Sequence, residues 1–487
     1  MNPTPFGLFF FSQPRMLRPF TMGFALSVFY FVVSYLGTTT VFGVLATKIH
    51  TEQILAALVV LVSLPTLMKS YLLKTPQSLA LIGLAIAVPL SVLIGVHWPG
   101  GAVQAFLIFI PSAFAYYLVC LHFNSRMRLQ VLVLMLLFVC LFAIAHGAID
   151  LRHGVPASGP PLSEATGEPN LDLWNMQHPY VLAMQNDKGE WFYRLRGLGE
   201  ISDPNDFGQL IVCLIPLMFI LWRRKKRFRN FVFVILPVCA LLYGVFLTHS
   251  RGALLALMAV AVVAARRRIG TLPSLLLGGG VFVAATALNF TGGREISVQS
   301  GSGRTGLWGE SMELLKSHPL FGVGFGNLPD YLGHTAHNSV AVCLAELGLF
   351  GFYFWCLFLF CTARDVLEIA SPAKVSDPEP IVSEDVLFPA ATRKIEAIDK
   401  AEVNHLGRLL MLSLTGFLVA GWFLSRAFVM TFFLLGGMAE VAFEMALRRG
   451  MVVPRLRLAR VLPYAGILVV SLILVMYILL RTVNLMH

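Results

Sequence analysis

The chain has 487 residues, 57% hydrophobic and 13% charged, with a formal net charge of +11 and a mean hydropathy of +0.75. A soluble domain carries about 25% charged residues, so this composition excludes an ordinary soluble protein. The basic residues lie in short clusters between apolar runs, the pattern of a membrane orientation signal and not of a nucleic-acid surface.

The chain opens with MNPTPFGLFFFSQPRMLRPF, which lacks a short apolar core followed by a small-residue cleavage site, so no cleavable signal peptide is expected. Apolar runs then follow at 21–45, 52–68, 77–96, 102–121, 128–149, 206–222, 231–247, 252–265, 272–290, 337–360, 409–424, 429–447 and 461–481. A helix needs ~20 such residues to cross a ~30 Å hydrocarbon core. The runs at 252–265 and 409–424 are short, so the expected fold is an all-α polytopic membrane protein of 12–13 transmembrane helices. Residues 1–487 then form a single membrane domain. The seven cysteines sit in or beside these runs without ligand spacing, implying neither disulfides nor a metal site.

Arg15 and Arg18 before the first run place the N-terminus in the cytoplasm. Alternation then puts Lys69 and Lys74, Arg126 and Arg128, RRKKRFR at 223–229, RRR at 266–268 and the arginines from Arg448 to Arg460 on that same side. Two long polar segments, 150–205 and 291–336, fall on the opposite, outer side as loops. A third, 362–407, is cytoplasmic; its acidic, proline-containing DPEPIVSED reads as a flexible linker, with a surface helix around 391–407.

Chemistry-bearing residues concentrate on the outer side. His337 and Asn338 open the tenth run, with His334 one turn earlier. A histidine at a helix N-terminus is disfavoured as imidazolium, and a neutral imidazole suits a general base. The plain alternative is a helix cap. Arg251 follows THS, Arg304 begins RTGLW, and Arg194 and Arg196 lie in YRLRGLG. Each guanidinium could hold an anion with its fork of donors, or could snorkel to lipid headgroups. In SDPNDFGQL, Asp203 reads as an N-cap, Pro204 as the first helical residue and Asp206 as a first-turn carboxylate; Asn205 could reach a ligand. Gly322, Gly324 and Gly326 in FGVGFG lack the strand and the Lys-Ser/Thr of a nucleotide loop and read as tight turns. Glu346 reads as a structural hydrogen-bonding group within the bundle, and Glu440, Glu444 and Arg448 as an i,i+4 charge ladder.

The order THSRG, RTGLW, HPLFGVGFG and HTAHNSVAVCLAELGLFG resembles the O-antigen ligase and O-antigen polymerase superfamily, which also includes exopolysaccharide polymerases and pilin-type oligosaccharyltransferases. The likeness spans about 190–360, and RLRGLGEISDPNDFG is similar to the family's earlier loop motif. It implies a glycosyltransferase of the bacterial inner membrane with a periplasmic site. The donor would be a glycan on undecaprenyl diphosphate, the acceptor a lipid A-core sugar, a second lipid-linked glycan or a protein hydroxyl, and no metal or other cofactor would be needed. By matching position, His337 would be the base and Arg251 and Arg304 would contact the diphosphate. Arg196 would assist binding, joined by Arg194, His334, Asn338 and Asn205. Ligase and polymerase share donor and leaving group, so the residues do not separate them. A transporter or flippase is the alternative of a different class. The oligomeric state is not encoded in any feature of the chain; membrane lipids are expected partners and nucleic acid is not.

Overall fold

The computed structural model describes residues 21–42, 51–153, 155–156, 158–163, 167–185, 189–287, 298–370, 389–452, 455 and 458–482. The opening residues, Lys48 to His50 of the first connection and the DPEPIVSED segment lie outside them. The helices are α1 (Met22–Leu36), α2 (Thr38–Phe42), α3 (Thr51–Met68), α4 (Pro76–Gly95), α5 (Pro99–His122), α6 (Arg126–His153), α7 (Leu171–Gln177), α8 (Pro204–Leu217) and α9 (Arg227–Asn230). They continue as α10 (Leu236–Thr248), α11 (Arg251–Ile269), α12 (Thr271–Ala287), α13 (Val298–Ser317), α14 (Leu328–Leu332), α15 (Ser339–Ala370), α16 (Pro389–Gly421), α17 (Met430–Leu447) and α18 (Leu458–Thr482). A single π turn joins α9 to α10, making one apolar helix.

The described part of each of the thirteen apolar runs is mostly helical, and the chain is a multi-pass α-helical membrane protein. Among the described residues, ten helices are long and apolar enough to cross a membrane. That is fewer than the twelve or thirteen expected. Helices α1 and α12 have 15 and 17 residues, and α11 ends in three arginines. Two polar segments are also more ordered than loops. In 291–336 the described part begins with the 20-residue helix α13, so Arg304 sits on a helix. In 362–407, α15 continues to Ala370 and the expected surface helix is the start of α16.

Helix α15 is the hub, packed against α4, α13, α16, α17 and α18. It is broken at Gly348, whose φ of 61° is left-handed. The break frees backbone groups inside an apolar bundle, where an unsatisfied amide is expensive. The segment 319–324 takes them up. Val323 and Gly324 N–H donate to the carbonyls of Ala345 and Glu346, while Leu349 and Phe350 N–H donate to those of Pro319 and Leu320. A Cβ on Gly348 would lie 2.5 Å from the Leu320 carbonyl, so the close approach requires glycine. The Glu346 carboxylate accepts from the N–H groups of Gly326 and Leu328, the structural role expected of it.

Several of the helices have one end among basic residues. Helix α8 runs toward the 223–229 cluster, α11 toward Arg266–Arg268, and α17 toward Arg448 and Arg449. At about 1.5 Å per residue, the 19 residues of α11 separate Arg251 from that end by roughly 28 Å. At the other end, the described residues of 150–205 include α7 and an antiparallel pair of strands, β1 (Val181–Gln185) and β2 (Trp191–Leu195). Trp174, 1% exposed, packs on Val181 and Ala183 and donates its indole N–H to the Val181 carbonyl. This hairpin lies against α10 and α6 and caps the bundle.

Glu440 takes no part in a ladder with Arg448. It faces inward, 1% exposed, and accepts two hydrogen bonds from Arg455 at 2.8 and 2.9 Å and one from the Tyr116 hydroxyl at 3.0 Å. Arg455 also donates to Asp365 at 2.6 and 3.1 Å, and Gln77 donates to the same carboxylate oxygen. One guanidinium thus ties α4, α5, α15 and α17 together. Replacing Arg455 by alanine leaves two buried carboxylates without their cation, and breaking such a pair costs about 3–5 kcal/mol. The expected result is a clear fall in the thermal unfolding temperature of the detergent-solubilised R455A protein, read by intrinsic fluorescence; an unchanged midpoint would show that the network carries no stability.

Candidate active site

At the end of the bundle away from the basic clusters lies a cavity of about 230 Å³. It is lined by Leu182, Met184, Arg194, Asp203, Asn205, Arg251, Gly252, Arg304, His337, Phe423 and Leu424. Five separate stretches of chain build it, and local geometry explains how each delivers its side chains.

Asp203 caps α8, its carboxylate accepting the Asn205 N–H at 2.7 Å, so Asn205 is placed at the rim in the first turn. Pro204 stands at the first helical position, as expected. Gly208 lies one turn on, where a Cβ would come within 2.8 Å of Ala253 Cβ. That glycine lets α8 and α11 approach closely and brings Asn205 beside Arg251. The α10–α11 corner is sharp: His249 caps α10 in a left-handed conformation, φ 47°, and Ser250 caps α11 through its hydroxyl. Arg251 is therefore the first residue of α11. A cation there is opposed by the helix dipole, so its position does not serve helix stability.

Arg194 comes from β2 and is 3% exposed. It donates to the Thr248 carbonyl at 2.9 Å and to Asn205 Oδ1 at 2.8 Å, so it forms a fixed wall between hairpin, α8 and α10. Arg304 projects from α13 into the cavity. Burial, and then the positive charge of Arg251, hold its guanidinium below the usual arginine range. It remains protonated, as arginines do in proteins.

His337 precedes α15 by two residues and does not itself open the helix. Asn338 is the cap, fully buried, its Oδ1 accepting the N–H groups of Val340 at 2.8 Å and Ala341 at 3.1 Å. His337 adopts a left-handed conformation, φ 50°, and its backbone N–H donates to Ser425 Oγ. Burial lowers the affinity of its imidazole for a proton, as does the charge of Arg304; Asp203 acts in the opposite sense and His334 adds a smaller lowering. The imidazole is consequently neutral at neutral pH.

The cavity lining thus holds five of the eight residues singled out from the sequence: Arg194, Asn205, Arg251, Arg304 and His337. The other three lie outside it. Arg196 donates to the Pro179 carbonyl and Asn175 Oδ1, both at a distance of 2.8–2.9 Å, and fastens the hairpin to α7. His334 is exposed. Asn338 caps α15. Sequence reasoning took Asp203 only as a cap, and gave no signal for Leu182, Met184, Phe423 or Leu424. The last two read as the tail of an apolar run, which in fact ends in the cavity. Among the described residues no three His, Cys, Asp or Glu side chains gather as metal ligands would.

Among the described residues, the cavity concentrates three guanidinium groups, one imidazole and one carboxylate at one end of the helix bundle. It can hold a diffuse anion and remove a proton beside it. A family model described as O-antigen ligase matches residues 236–356, a stretch that includes Arg251, Arg304 and His337. No curated protein matches the chain. Asp203, Asn205 and Phe423 lie outside the matched stretch, yet they close the same cavity around its three basic residues. The matched stretch, less than half of the chain, is similar to the O-antigen ligase family and supplies three basic residues of the cavity.

Proposed function

We propose that the protein is a metal-independent glycosyltransferase working at the periplasmic face of the bacterial inner membrane. It moves a glycan from undecaprenyl diphosphate to a sugar hydroxyl. The observation that carries this reading is the convergence of His337, Arg251 and Arg304 on one cavity, at the end of the bundle opposite the basic clusters. The tendency of basic connections to face the cytoplasm supports a periplasmic cavity.

The cavity is smaller than the ~300–1,000 Å³ typical of sites for drug-sized ligands. It suits a diphosphate and the adjoining sugar, while the polyprenyl tail stays in lipid and the rest of the glycan lies outside. The acceptor hydroxyl gives its proton to His337 as its oxygen attacks C1 of the donor sugar. The C1–O bond to phosphate breaks, its electron pair passes to the phosphate oxygen, and the configuration at C1 inverts. Undecaprenyl diphosphate leaves with an extra negative charge, which Arg251 and Arg304 stabilise in place of a divalent ion. Arg194 and Asn205 hold the wall beside them. The acceptor is a lipid A-core sugar or a second lipid-linked glycan. Surface glycan from a deletion strain separates the two: loss of all long chains with lipid-linked polymer accumulating marks a ligase, and single repeats on the core mark a polymerase.

An arginine at a phosphoryl leaving group can contribute on the order of 10³–10⁵ in rate, and a general base about 10²–10⁴. Purified R251A and R304A, assayed with lipid-linked donor, should therefore lose at least as much turnover as H337A. Full turnover in both arginine variants, or in H337A, would remove the respective assignment. Excess chelator should leave wild-type turnover intact; abolition would favour a metal-dependent glycosyltransferase.

The pH dependence has a definite sign. A base works only when neutral, so kcat/KM falls as pH drops through the His337 pKa. Because burial and Arg304 lower that pKa, the acidic limb should lie below the ordinary imidazole value of about 6.5. Removing the neighbouring charge in R304Q should move the limb of the residual activity to higher pH. A limb that stays in place would show that His337 and Arg304 do not sense one another.

A further inference from the structure

Three hydrogen bonds lace the start of α15 to the α16–α17 connection, residues 422–429. His337 N–H donates to Ser425 Oγ at 2.8 Å. Ser339 Oγ donates to the Leu424 carbonyl at 2.7 Å and accepts the Arg426 N–H at 3.1 Å. The Arg426 guanidinium reaches the carboxylate of Asp206, the residue after Asn205 on α8. On the other flank, Trp308 donates to the Ala336 carbonyl at 2.8 Å and meets Trp422 edge-on, with ring centroids 6.2 Å apart. None of the residues on the connection falls within the matched stretch 236–356.

The lacing explains how His337 keeps its conformation. A residue with a Cβ stays in the left-handed region only when its surroundings over-determine it. Here the Asn338 side chain is committed to capping α15, the Ala336 carbonyl is held by Trp308, and the His337 N–H is held by Ser425. We propose that Ser425 is a positioning residue: by fixing the backbone of His337 it aims the imidazole into the cavity, and the Arg426–Asp206 pair anchors the connection that carries it. This inference rests on His337 acting as the base.

The test uses the full-length protein in lipid nanodiscs, with lipid-linked donor and a sugar acceptor. A misplacement of about 1 Å can cost on the order of 100-fold in rate, so S425A should lose ~10- to 100-fold in kcat. Its KM for the donor and its thermal unfolding midpoint should stay at wild-type values, because no group lining the cavity changes. S425T keeps the accepting hydroxyl and should recover most of the lost kcat. Wild-type kcat in S425A would overturn the proposal. So would equal losses in S425A and S425T together with lowered unfolding midpoints, since that pattern marks a purely structural serine. H337A is assayed alongside: an inactive H337A with a fully active S425A rejects only the positioning role, whereas a fully active H337A rejects the base and the positioning role with it.

Discussion

Holding like charges together beneath a partly water-excluded wall is the constraint on which the rest of this molecule depends. Arg194, Arg251 and Arg304 line one cavity, and Asp203 is the one carboxylate in that lining. Arg304 is destabilised as a cation both by burial and by Arg251. Such an arrangement does not stabilise a fold, because desolvated charge is costly and like charges add to the cost. It is tolerable when a rigid frame imposes it and useful when an anion enters. Burial, and after it the charge of Arg304, lower the proton affinity of His337. In the proposed mechanism, anion binding and base chemistry both draw on this buried, positively charged setting.

The frame that imposes it is built from backbone more than from side-chain charge. Helix α15 is interrupted at Gly348 and repaired by the segment 319–324, which hydrogen-bonds across the gap. That repair clamps the polar segment after α13 onto the hub, and with it the helix that bears Arg304. At the far end, Arg455 fastens α4, α5, α15 and α17 through Asp365 and Glu440. A buried pair of this kind gives geometric definition more than net stability. The two devices hold α15 on either side of its middle, so its start, just after His337, has little freedom to drift.

Hydropathy made the fold class legible, because the ~20-residue spacing of apolar runs is imposed by bilayer thickness and survives any detail of packing. Individual residues were legible where a local rule acts: Asp203 and Pro204 at the start of α8. The helical character of 298–317 was not legible, since VQSGSGRTGLWGESMELLKS is neither uniformly apolar nor cleanly capped and its helix is set by packing on α15. The partner of Glu440 was misread because the i,i+4 rule sees only one helix surface, while Arg455 arrives from the connection to the next helix. Ser425 carried no signal at all: a serine near the end of an apolar run is ordinary until the fold sets it against His337.

The distribution of the cavity wall along the chain makes the same point physically. Its residues come from 182–205, 251–252, 304, 337 and 423–424, so no short segment contains both the charges and the surface that encloses them. The matched stretch 236–356 supplies Arg251, Arg304 and His337. By itself it would leave them facing lipid or water, without Arg194 and Asn205 on one side or Phe423 and Leu424 on the other. A basic group in water is screened and reorganises its solvent; the same group against a fixed, partly dry wall acts at full strength with its cost already met by folding. The residues proposed to carry the chemistry and those that enclose them are thus separate in sequence and meet only once the whole bundle has assembled.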